Sequence, residues 1–247
     1  MIPKLVHLSY KSFDTVPDHW KPSIQKWKEL GWNVMFHSDA DNDQLVAQDY
    51  PQYLGKYQGM KYIIQKVDLV RLCYLHKWGG VWCDLDLVPS RDIYADLQPH
   101  QVCLLLSPVN HESYTNMFMA SVPGHPLWIA YLDAISSEGP WWALGKHLEV
   151  MYTTGPSKMD HVVRKWLQEK REAFPLHTLP NNWIMCNVCN IGLCDEGVLK
   201  VVKGQSWNTW DSRVYGFVYC NTGKIAAVLL GIVIAYITFR YFQKRPI

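Results

Sequence analysis

The sequence predicts an α/β protein in which a sheet domain is followed by one apolar helix. Strand-like and helix-like segments alternate from the first residues onward, which is typical of a sheet covered by helices. A long amphipathic helix then leads through Gly79-Gly80 into an apolar strand, and an uncharged run, 225–239, lies near the C-terminus. We therefore expect a sheet domain over 1–213, a linker over 214–223, a transmembrane helix over 224–242 and a short basic tail over 243–247.

The first half of the chain alternates short apolar segments with helix-like ones. Pro17 and Asp18 suit the first turn of a helix, whereas Gly31, Pro51 and Gly79 each follow a helix-like segment and favour its end. The segment before Gly79 carries a broad apolar stripe at helical spacing. Strands are therefore expected over 4–8 and 32–36, and helices over 17–30, 39–50 and 60–77.

The second half continues the same alternation and then becomes irregular. An apolar strand is expected over 81–87, ended by Pro89, and it carries Asp84 and Asp86 near its end. Periodicity predicts further strands over 101–106 and 114–120 and helices over 126–136 and 157–171. The irregular stretch 175–212 contains short strands near 176–179 and 199–202.

The apolar run near the C-terminus indicates a single-pass membrane anchor. Arg240 can extend its charged group to the membrane surface, so the span reaches Phe242, a helix of roughly 27 Å. A buried terminal helix is the alternative, since the run is short for a membrane span. Basic residues on both sides of the run favour the membrane.

The side of the membrane follows from two opposing signals. Nothing near Met1 resembles a segment that would direct translocation, which favours a cytosolic body. Arg240, Lys244 and Arg245 lie beyond the span, against Lys224 before it, and this asymmetry favours a lumenal body. We expect the cytosolic body, with the lumenal one as the alternative.

Composition excludes one class of partner. The chain of 247 residues is 49% hydrophobic and 19% charged, as in a folded domain. Its net charge of +2 comes from the four basic residues of the last 24 positions, so the body is slightly acidic. Such a body has no general attraction for a phosphate backbone, and no nucleic-acid partner is expected.

The cysteines leave several alternatives open. Cys73 and Cys83 lie in apolar segments and are expected in the core. Cys186, Cys189 and Cys194 form a C-x2-C-x4-C cluster. Buried free thiols, a disulfide, or zinc with His177 as a fourth ligand are all compatible with that spacing.

The chemistry is concentrated in 19 residues around the Gly-Gly turn. Asp68 and Arg71 are three positions apart and share a helix face. Asp84 and Asp86 alternate along the expected strand, so both point to one side of the sheet edge. Carboxylate oxygens placed in this way suit Mn²⁺ or Mg²⁺, and the cation could hold a diphosphate.

Rival readings of this cluster are weaker. A glycosidase needs its two carboxyl groups on opposite sides of the scissile bond, and neighbours on one strand do not provide this. Asp68 and Arg71 alone would be typical of a surface ion pair. The combined spacing makes coincidence less probable than either feature by itself.

The stretch VDLVRLCYLHKWGGVWCDLDLVP resembles the signature of the D-x-D sugar transferases of glycosyltransferase family 32. That family includes yeast-type mannosyltransferases, inositol-phosphorylceramide mannosyltransferases and capsule enzymes. IPKLVHLSYKS, NMFMASVPGHP, TTGP and GQSW also resemble family segments, so the similarity runs over about residues 2–210. The resemblance implies a GT-A fold, which is a Rossmann-like sheet, and retention of anomeric configuration.

The resemblance also implies roles for particular residues. Asp86 would bind the metal, Asp84 the donor ribose or a metal-bound water, and Asp68 with Arg71 the hydroxyls of the donor sugar. Asn116 would face the sugar site. Donor contacts are further implied for Leu5, His7, Ser9, Tyr10, Gly79, Gly80, Ser206 and Trp207.

Two departures from the family pattern affect these roles. Tyr10 stands where many members have Trp. No histidine precedes GQSW, where Val201 and Val202 stand, so the third metal ligand is expected to be Ser206 or Asn208.

The expected function is a retaining, metal-dependent glycosyltransferase. It would move a hexose, with mannose from GDP-mannose favoured over a UDP-hexose, to a glycan or glycolipid acceptor. A sugar-binding pseudoenzyme or membrane-tethered binding module is the alternative, and a structural membrane protein is a further one. All the motif residues Arg71, Asp84 and Asp86 are present, which favours the enzyme.

Overall fold

The computed structural model divides the chain into two compact units, Met1–Trp207 and Asn208–Ile247. The structure describes residues 1–108, 112–170, 172–185, 189, 197–202, 204 and 209–243, with side chains described as far as 236. The first unit contains the sheet and the second contains two helices.

A six-stranded mixed sheet forms the first unit, in the order β2-β1-β3-β6-β5-β7. Strand β1 is parallel to β2 and β3, whereas β6 runs antiparallel to β3 and β5, and β7 is parallel to β5. A separate ladder pairs β4 with β8. The strands are β1 Leu5–Ser9, β2 Asn33–His37, β3 Gly80–Cys83, β4 Leu87–Pro89, β5 Val102–Leu106, β6 Tyr114–Ser121, β7 Leu176–Thr178 and β8 Leu199–Val201.

Helices and loops cover this sheet and bury two apolar clusters. Larger aromatic side chains fill both clusters, among them Trp82 and Trp128 in one and Trp27 and Phe118 in the other. The α/β prediction is therefore confirmed. The helices are α1 Lys21–Glu29, α2 Asp39–Asp49, α3 Leu54–Gly59, α4 Ile63–Trp78, α5 Tyr94–Leu97, α6 Pro126–Ala134, α7 Lys146–Thr153 and α8 Pro156–Glu169 in the first unit, then α9 Trp210–Cys220 and α10 Thr222–Gln243 in the second.

The junction between α4 and β3 requires two glycines. Gly79 and Gly80 have φ angles of 64° and 85°, a region that other residues rarely adopt. A Cβ at Gly79 would lie 2.6 Å from the nitrogen of Pro123, and one at Gly80 would lie 2.5 Å from the carbonyl oxygen of Leu5. The turn therefore packs directly against β1 and the end of β6, which fixes α4 relative to β3.

Some predicted boundaries are wrong. The strand expected over 81–87 ends at Cys83, because the chain turns at Asp84 before β4 begins. The first helix begins at Lys21 and not at Pro17, since residues 17–20 form a turn. Periodicity did not reveal α3, α5 or α7, which are helices of four to eight residues.

The cysteines differ in whether they are free or disulfide-bonded, which decides between some of the predicted alternatives. Cys73, Cys83 and Cys103 are buried free thiols, as expected for the first two. Cys189 takes part in a disulfide bond, and Cys220 of the second unit does so as well. For Cys189 the disulfide alternative therefore holds, whereas Cys186 and Cys194 lie outside the described residues.

The second unit consists of α9 and α10. The boundary between the units falls after Trp207, and α9 occupies much of the expected linker. Within the described residues no single helix is both long and apolar enough to cross a membrane. Residues Trp210–Cys220 and Thr222–Tyr236 meet that criterion together, by length and composition, with a bend of 70° between them. The predicted anchor therefore stays a prediction.

Candidate active site

The buried centre of the site is an ion pair between Arg71 and Asp68 on α4. Their side chains are 2% and 4% exposed, and Arg71 Nη2 lies 3.0 Å from Asp68 Oδ1. Arg71 Nη1 also donates a 2.6 Å hydrogen bond to the main-chain carbonyl of Asn116 on β6. The alternative of a surface ion pair is therefore wrong.

Asp84 joins this pair from the end of β3. Its Oδ1 lies 3.4 Å from Arg71 Nη1 and accepts a 3.0 Å hydrogen bond from the indole N–H of Trp82. The guanidinium of Arg71 lies 5.1 Å from the centroid of the Trp82 ring, an arrangement that adds a cation–π attraction. One guanidinium thus connects α4 to the first aspartate of the D-x-D motif.

The motif itself is a turn. The N–H of Leu87 donates a 3.0 Å hydrogen bond to the carbonyl of Asp84, which closes a four-residue turn between β3 and β4. The expected alternation of Asp84 and Asp86 along a strand is therefore wrong, because the strand ends at Cys83. The turn places Asp84 against Arg71 and keeps Asp86 close enough for the two carboxylates to interact electrostatically.

Asp86 packs against the backbone of Gly204. A Cβ at Gly204 would lie 2.6 Å from Asp86 Cγ, which is closer than packed atoms allow. The N–H of Val202 donates a 2.8 Å hydrogen bond to the carbonyl of Asp86, and β8 pairs with β4 directly after the motif. A side chain at 204 would therefore require the Asp86 carboxylate to move.

Two further side chains hold Asp68, and sequence reasoning assigned a role to only one of them. Asn116 Nδ2 donates to Asp68 Oδ1 at 2.9 Å, in keeping with the site role expected for Asn116. Thr154 Oγ1 donates to Asp68 Oδ2 at 2.7 Å. Tyr131 in turn donates through its hydroxyl to the carbonyls of Thr154 and Gly155, at 2.7 and 3.2 Å. The TTGP segment, which resembles a family turn, was the signal that could have identified Thr154.

Burial dominates the electrostatics of the three carboxylates. It raises the pKa of Asp68 to about 6, against the opposing effects of Arg71 and of the hydrogen bond from Thr154. Burial and the neighbouring Asp84 raise the pKa of Asp86 to about 7. Burial also raises the pKa of Asp84, and Arg71 opposes that rise. Three carboxylates thus share one guanidinium, so the site is short of positive charge.

A divalent cation would suit this shortage of charge. The carboxylates of Asp84 and Asp86 are the hard oxygen ligands that Mn²⁺ and Mg²⁺ prefer. Among the described residues no three His, Cys, Asp or Glu side chains are grouped to hold a metal. The expected third ligands, Ser206 and Asn208, lie outside the described residues, as does Trp207. The donor atoms fit the ion, and its binding stays a prediction.

His7 on β1 is buried and forms its hydrogen bonds within the protein. Its Nε2 lies 2.9 Å from the carbonyl oxygen of Gly79, and its Nδ1 lies 3.0 Å from His37 Nε2. Burial lowers the pKa of His7 to about 4, so the ring is neutral. Because a carbonyl only accepts, His7 Nε2 carries the proton and His37 donates to Nδ1. Both ring nitrogens of His7 are hydrogen-bonded within the protein. A nucleotide could therefore contact β1 at this position only through the main chain.

The other residues expected to bind donor lie along the same strand and its continuation. Ser9 Oγ accepts a 3.2 Å hydrogen bond from Asn42 Nδ2, and the Tyr10 ring meets the edge of Trp20 at 5.5 Å between centroids. Leu5 presents its carbonyl to Gly80. These contacts order β1, and donor binding by these residues stays a prediction.

Comparisons with known proteins agree with the motif. Residues 17–104 match the family model described as a glycosyltransferase sugar-binding region containing a DXD motif. The matched region contains Asp68, Arg71 and both motif aspartates, and the predicted resemblance is confirmed. The chain is thus similar to DXD-motif glycosyltransferases.

Two fungal proteins of known name are similar to most of this chain. The mannosyl phosphorylinositol ceramide synthase SUR1 of Saccharomyces cerevisiae is 26% identical over 87% of this chain and 54% of that protein. Inositol phosphoceramide mannosyltransferase 3 of Schizosaccharomyces pombe is 26% identical over 88% of this chain and 58% of that protein. The chain therefore spans little more than half the length of these two relatives.

Solved structures show more distant likenesses. Mouse xyloside xylosyltransferase 1 gives a TM-score of 0.46 at 10% identity, covering 85% of this chain and all of that one. The PaToxG glycosyltransferase gives 0.44 at 15% identity, covering 68% and 69%. The α/β description therefore rests on the sheet itself and not on these likenesses.

Replacing Thr154 tests the link between its hydroxyl and Asp68. We expect Thr154→Val to lower kcat/KM for donor hydrolysis by about 10- to 100-fold, the effect of losing one hydrogen bond to a buried charged group. Thr154→Ser keeps the hydroxyl and should remain close to the parent protein. Steady-state kinetics of both variants check this, and a loss in Thr154→Ser with Thr154→Val close to the parent protein would show that the methyl packing, not the hydrogen bond, matters.

Replacing Gly204 tests the close approach to Asp86. Gly204→Ala should displace the carboxylate and reduce Mn²⁺-dependent donor hydrolysis by on the order of 100-fold, as expected when a metal ligand is moved. Gly55→Ala is the matched control, because a Cβ there has no neighbour within 4 Å. Activity and thermal unfolding should be measured for both. Full activity in Gly204→Ala would show that Asp86 does not need its present position.

Proposed function

We propose that this protein is a retaining, metal-dependent glycosyltransferase with a GT-A-type sheet. It moves a hexose from a nucleotide-diphosphate sugar to a glycan or glycolipid acceptor. Mannose from GDP-mannose is the favoured donor, and a UDP-hexose is the alternative. The observation that carries this proposal is the cluster beside the D-x-D turn in which the buried Arg71 connects the buried Asp68 to the partly exposed Asp84.

The residues of the cluster suit two different roles, binding of the sugar and binding of a cation. Asp68 is held by three donors, from Arg71, Asn116 and Thr154, so its orientation is fixed before a substrate arrives. A carboxylate fixed in this way positions sugar hydroxyls with little loss of entropy on binding. A divalent cation held by Asp84 and Asp86 would supply positive charge to a leaving diphosphate.

The names of the relatives support the sugar and the acceptor. The two fungal relatives are named for mannosyl transfer involving inositol phosphoceramide. We infer for this chain a mannosyl donor and an acceptor that is a membrane lipid carrying a polar headgroup. Because the chain spans little more than half of these relatives, its acceptor need not be theirs.

The second unit supports attachment to a membrane. Its helices expose large apolar side chains, among them Phe217, Val228, Leu229 and Ile232. We propose that 224–242, alone or together with α9, anchors the protein. Disulfide-bonded Cys189 and Cys220 are typical of an oxidising compartment. This favours the lumenal alternative for the body over the cytosolic one expected from the N-terminus.

Donor hydrolysis without acceptor tests the proposed activity. The full chain in detergent should release nucleoside diphosphate from a panel of nucleotide sugars only when Mn²⁺ or Mg²⁺ is present. Asp86→Asn removes the charge and keeps the size, and it should lower the rate by on the order of 100-fold. Asp49→Asn changes an exposed aspartate paired with Lys77 and is the matched control.

Three outcomes separate the functions. Metal-dependent release that Asp86→Asn lowers by on the order of 100-fold and Asp49→Asn leaves intact supports the enzyme. Donor binding without any release by the parent protein would instead identify a sugar-binding pseudoenzyme. Release that is unchanged by EDTA would contradict the metal role given to Asp84 and Asp86.

A further inference from the structure

A short apolar loop protrudes from the first unit between α6 and α7. Residues 139–145, here called the aromatic tip, contain no charged side chain and read Gly-Pro-Trp-Trp-Ala-Leu-Gly. Trp141 is 91% exposed and Leu144 is 78% exposed. Large apolar side chains this exposed at a single loop mark an interaction surface.

The backbone of the aromatic tip satisfies part of its own hydrogen bonding. The N–H of Ala143 donates to the carbonyl of Pro140 at 2.8 Å, and the N–H of Leu144 donates to the carbonyl of Trp142 at 2.9 Å. Groups bonded in this way cost less to move out of water. The loop is therefore suited to a partly apolar environment.

The aromatic tip packs against α7, and lysine side chains lie next to this helix. The Trp142 ring meets the edge of Tyr152 on α7, with centroids 4.6 Å apart. Lys146 at the start of α7 lies over the ring of Tyr62, 5.5 Å from its centroid, whereas the neighbouring Lys61 pairs with Glu149 of α7 at 3.3 Å. Tryptophan with lysine close by is the composition of segments that rest at the surface of a bilayer.

The same helix connects the tip to the candidate active site. Helix α7 runs from Lys146 to Thr153, about 12 Å at the usual rise per residue. Thr154 follows directly and donates its hydroxyl to Asp68. A surface that engages the tip would therefore lie roughly one short helix from the carboxylate that is expected to hold the sugar.

We propose that the aromatic tip inserts Trp141 and Leu144 into the interface of a lipid bilayer, with Lys146 facing the headgroups, and so holds the site over a membrane-borne acceptor. The role for the acceptor rests on the proposed transferase activity, whereas the docking does not. A sugar partner is less suited to the tip, because recognition of hydroxyls needs several polar groups and the tip side chains offer only indole N–H groups. Anchoring through the second unit, as proposed above, would keep a membrane close, so weak insertion of the tip would be sufficient.

Fluorescence quenching on vesicles tests the docking directly. Leu144→Cys in the full chain is labelled with the fluorophore NBD and reconstituted into vesicles of phosphatidylcholine and phosphatidylserine. Phe13→Cys, at another exposed apolar position of the same unit, is the matched control, and the unsubstituted chain gives the background from native cysteines. We expect lipid-borne doxyl groups to quench the label at 144 and aqueous iodide to quench the label at 13.

Adding Trp141→Ser to the labelled Leu144→Cys chain should abolish the doxyl quenching while donor hydrolysis without acceptor is unchanged. Iodide quenching at 144 equal to that at 13 would overturn the proposal. Doxyl quenching that survives Trp141→Ser would overturn the part given to Trp141. Absence of donor hydrolysis in the parent protein would contradict the transferase activity and leave the quenching result to decide the docking by itself.

Discussion

The site depends on one buried guanidinium. Arg71 reaches Asp68 on its own helix, Asp84 after β3 and the main chain of Asn116 on β6, and it lies over the ring of Trp82. Removing one member of a buried pair leaves an uncompensated charge, at a cost of about 3–5 kcal/mol. The position of α4 against the sheet is therefore coupled to the chemistry of the site.

That coupling explains why the surrounding backbone is so restricted. Gly79 and Gly80 bring α4 onto β3 through a turn that side chains cannot enter. Only with this turn do Asp68 and Asp84 meet the same guanidinium. Gly204 serves the other side of the motif, where it leaves space for Asp86. Glycine at these places sets the distances between the charged groups.

The site contains more negative charge than its one guanidinium compensates. Arg71 compensates Asp68 and Asp84 in part, while Asp86 has a pKa raised to about 7 by burial and by Asp84. A carboxylate in that condition binds a proton or a cation more readily than one on the surface. The protein therefore holds a place for positive charge, which is what a departing diphosphate requires.

Local patterns in the sequence predicted much of this arrangement. The apolar stripe of α4 and the spacing of Asp68 and Arg71 identified the helix face, because both depend only on helical periodicity. The turn at Asp84 could not be predicted from alternation, since it is closed by a main-chain hydrogen bond from Leu87 and its carboxylate pairs with Arg71 of another element.

Contacts between distant parts of the chain were the harder part. Thr154 lies 86 positions from Asp68, and Gly204 lies against Asp86 from far along the chain. Such pairs are set by tertiary packing and have no local period. The resemblance of TTGP and GQSW to family segments indicated where to look, without giving the contacts.

A double-mutant cycle between Arg71 and Asp68 tests the central role of the guanidinium most directly. Unfolding free energies of Arg71→Met, Asp68→Asn and the double variant are measured by denaturant titration in detergent, following near-ultraviolet circular dichroism. We expect the double variant to be about 2 kcal/mol more stable than the sum of the single losses predicts, since each single change leaves the other group buried without its partner. Losses that add to within about 0.5 kcal/mol would contradict the account.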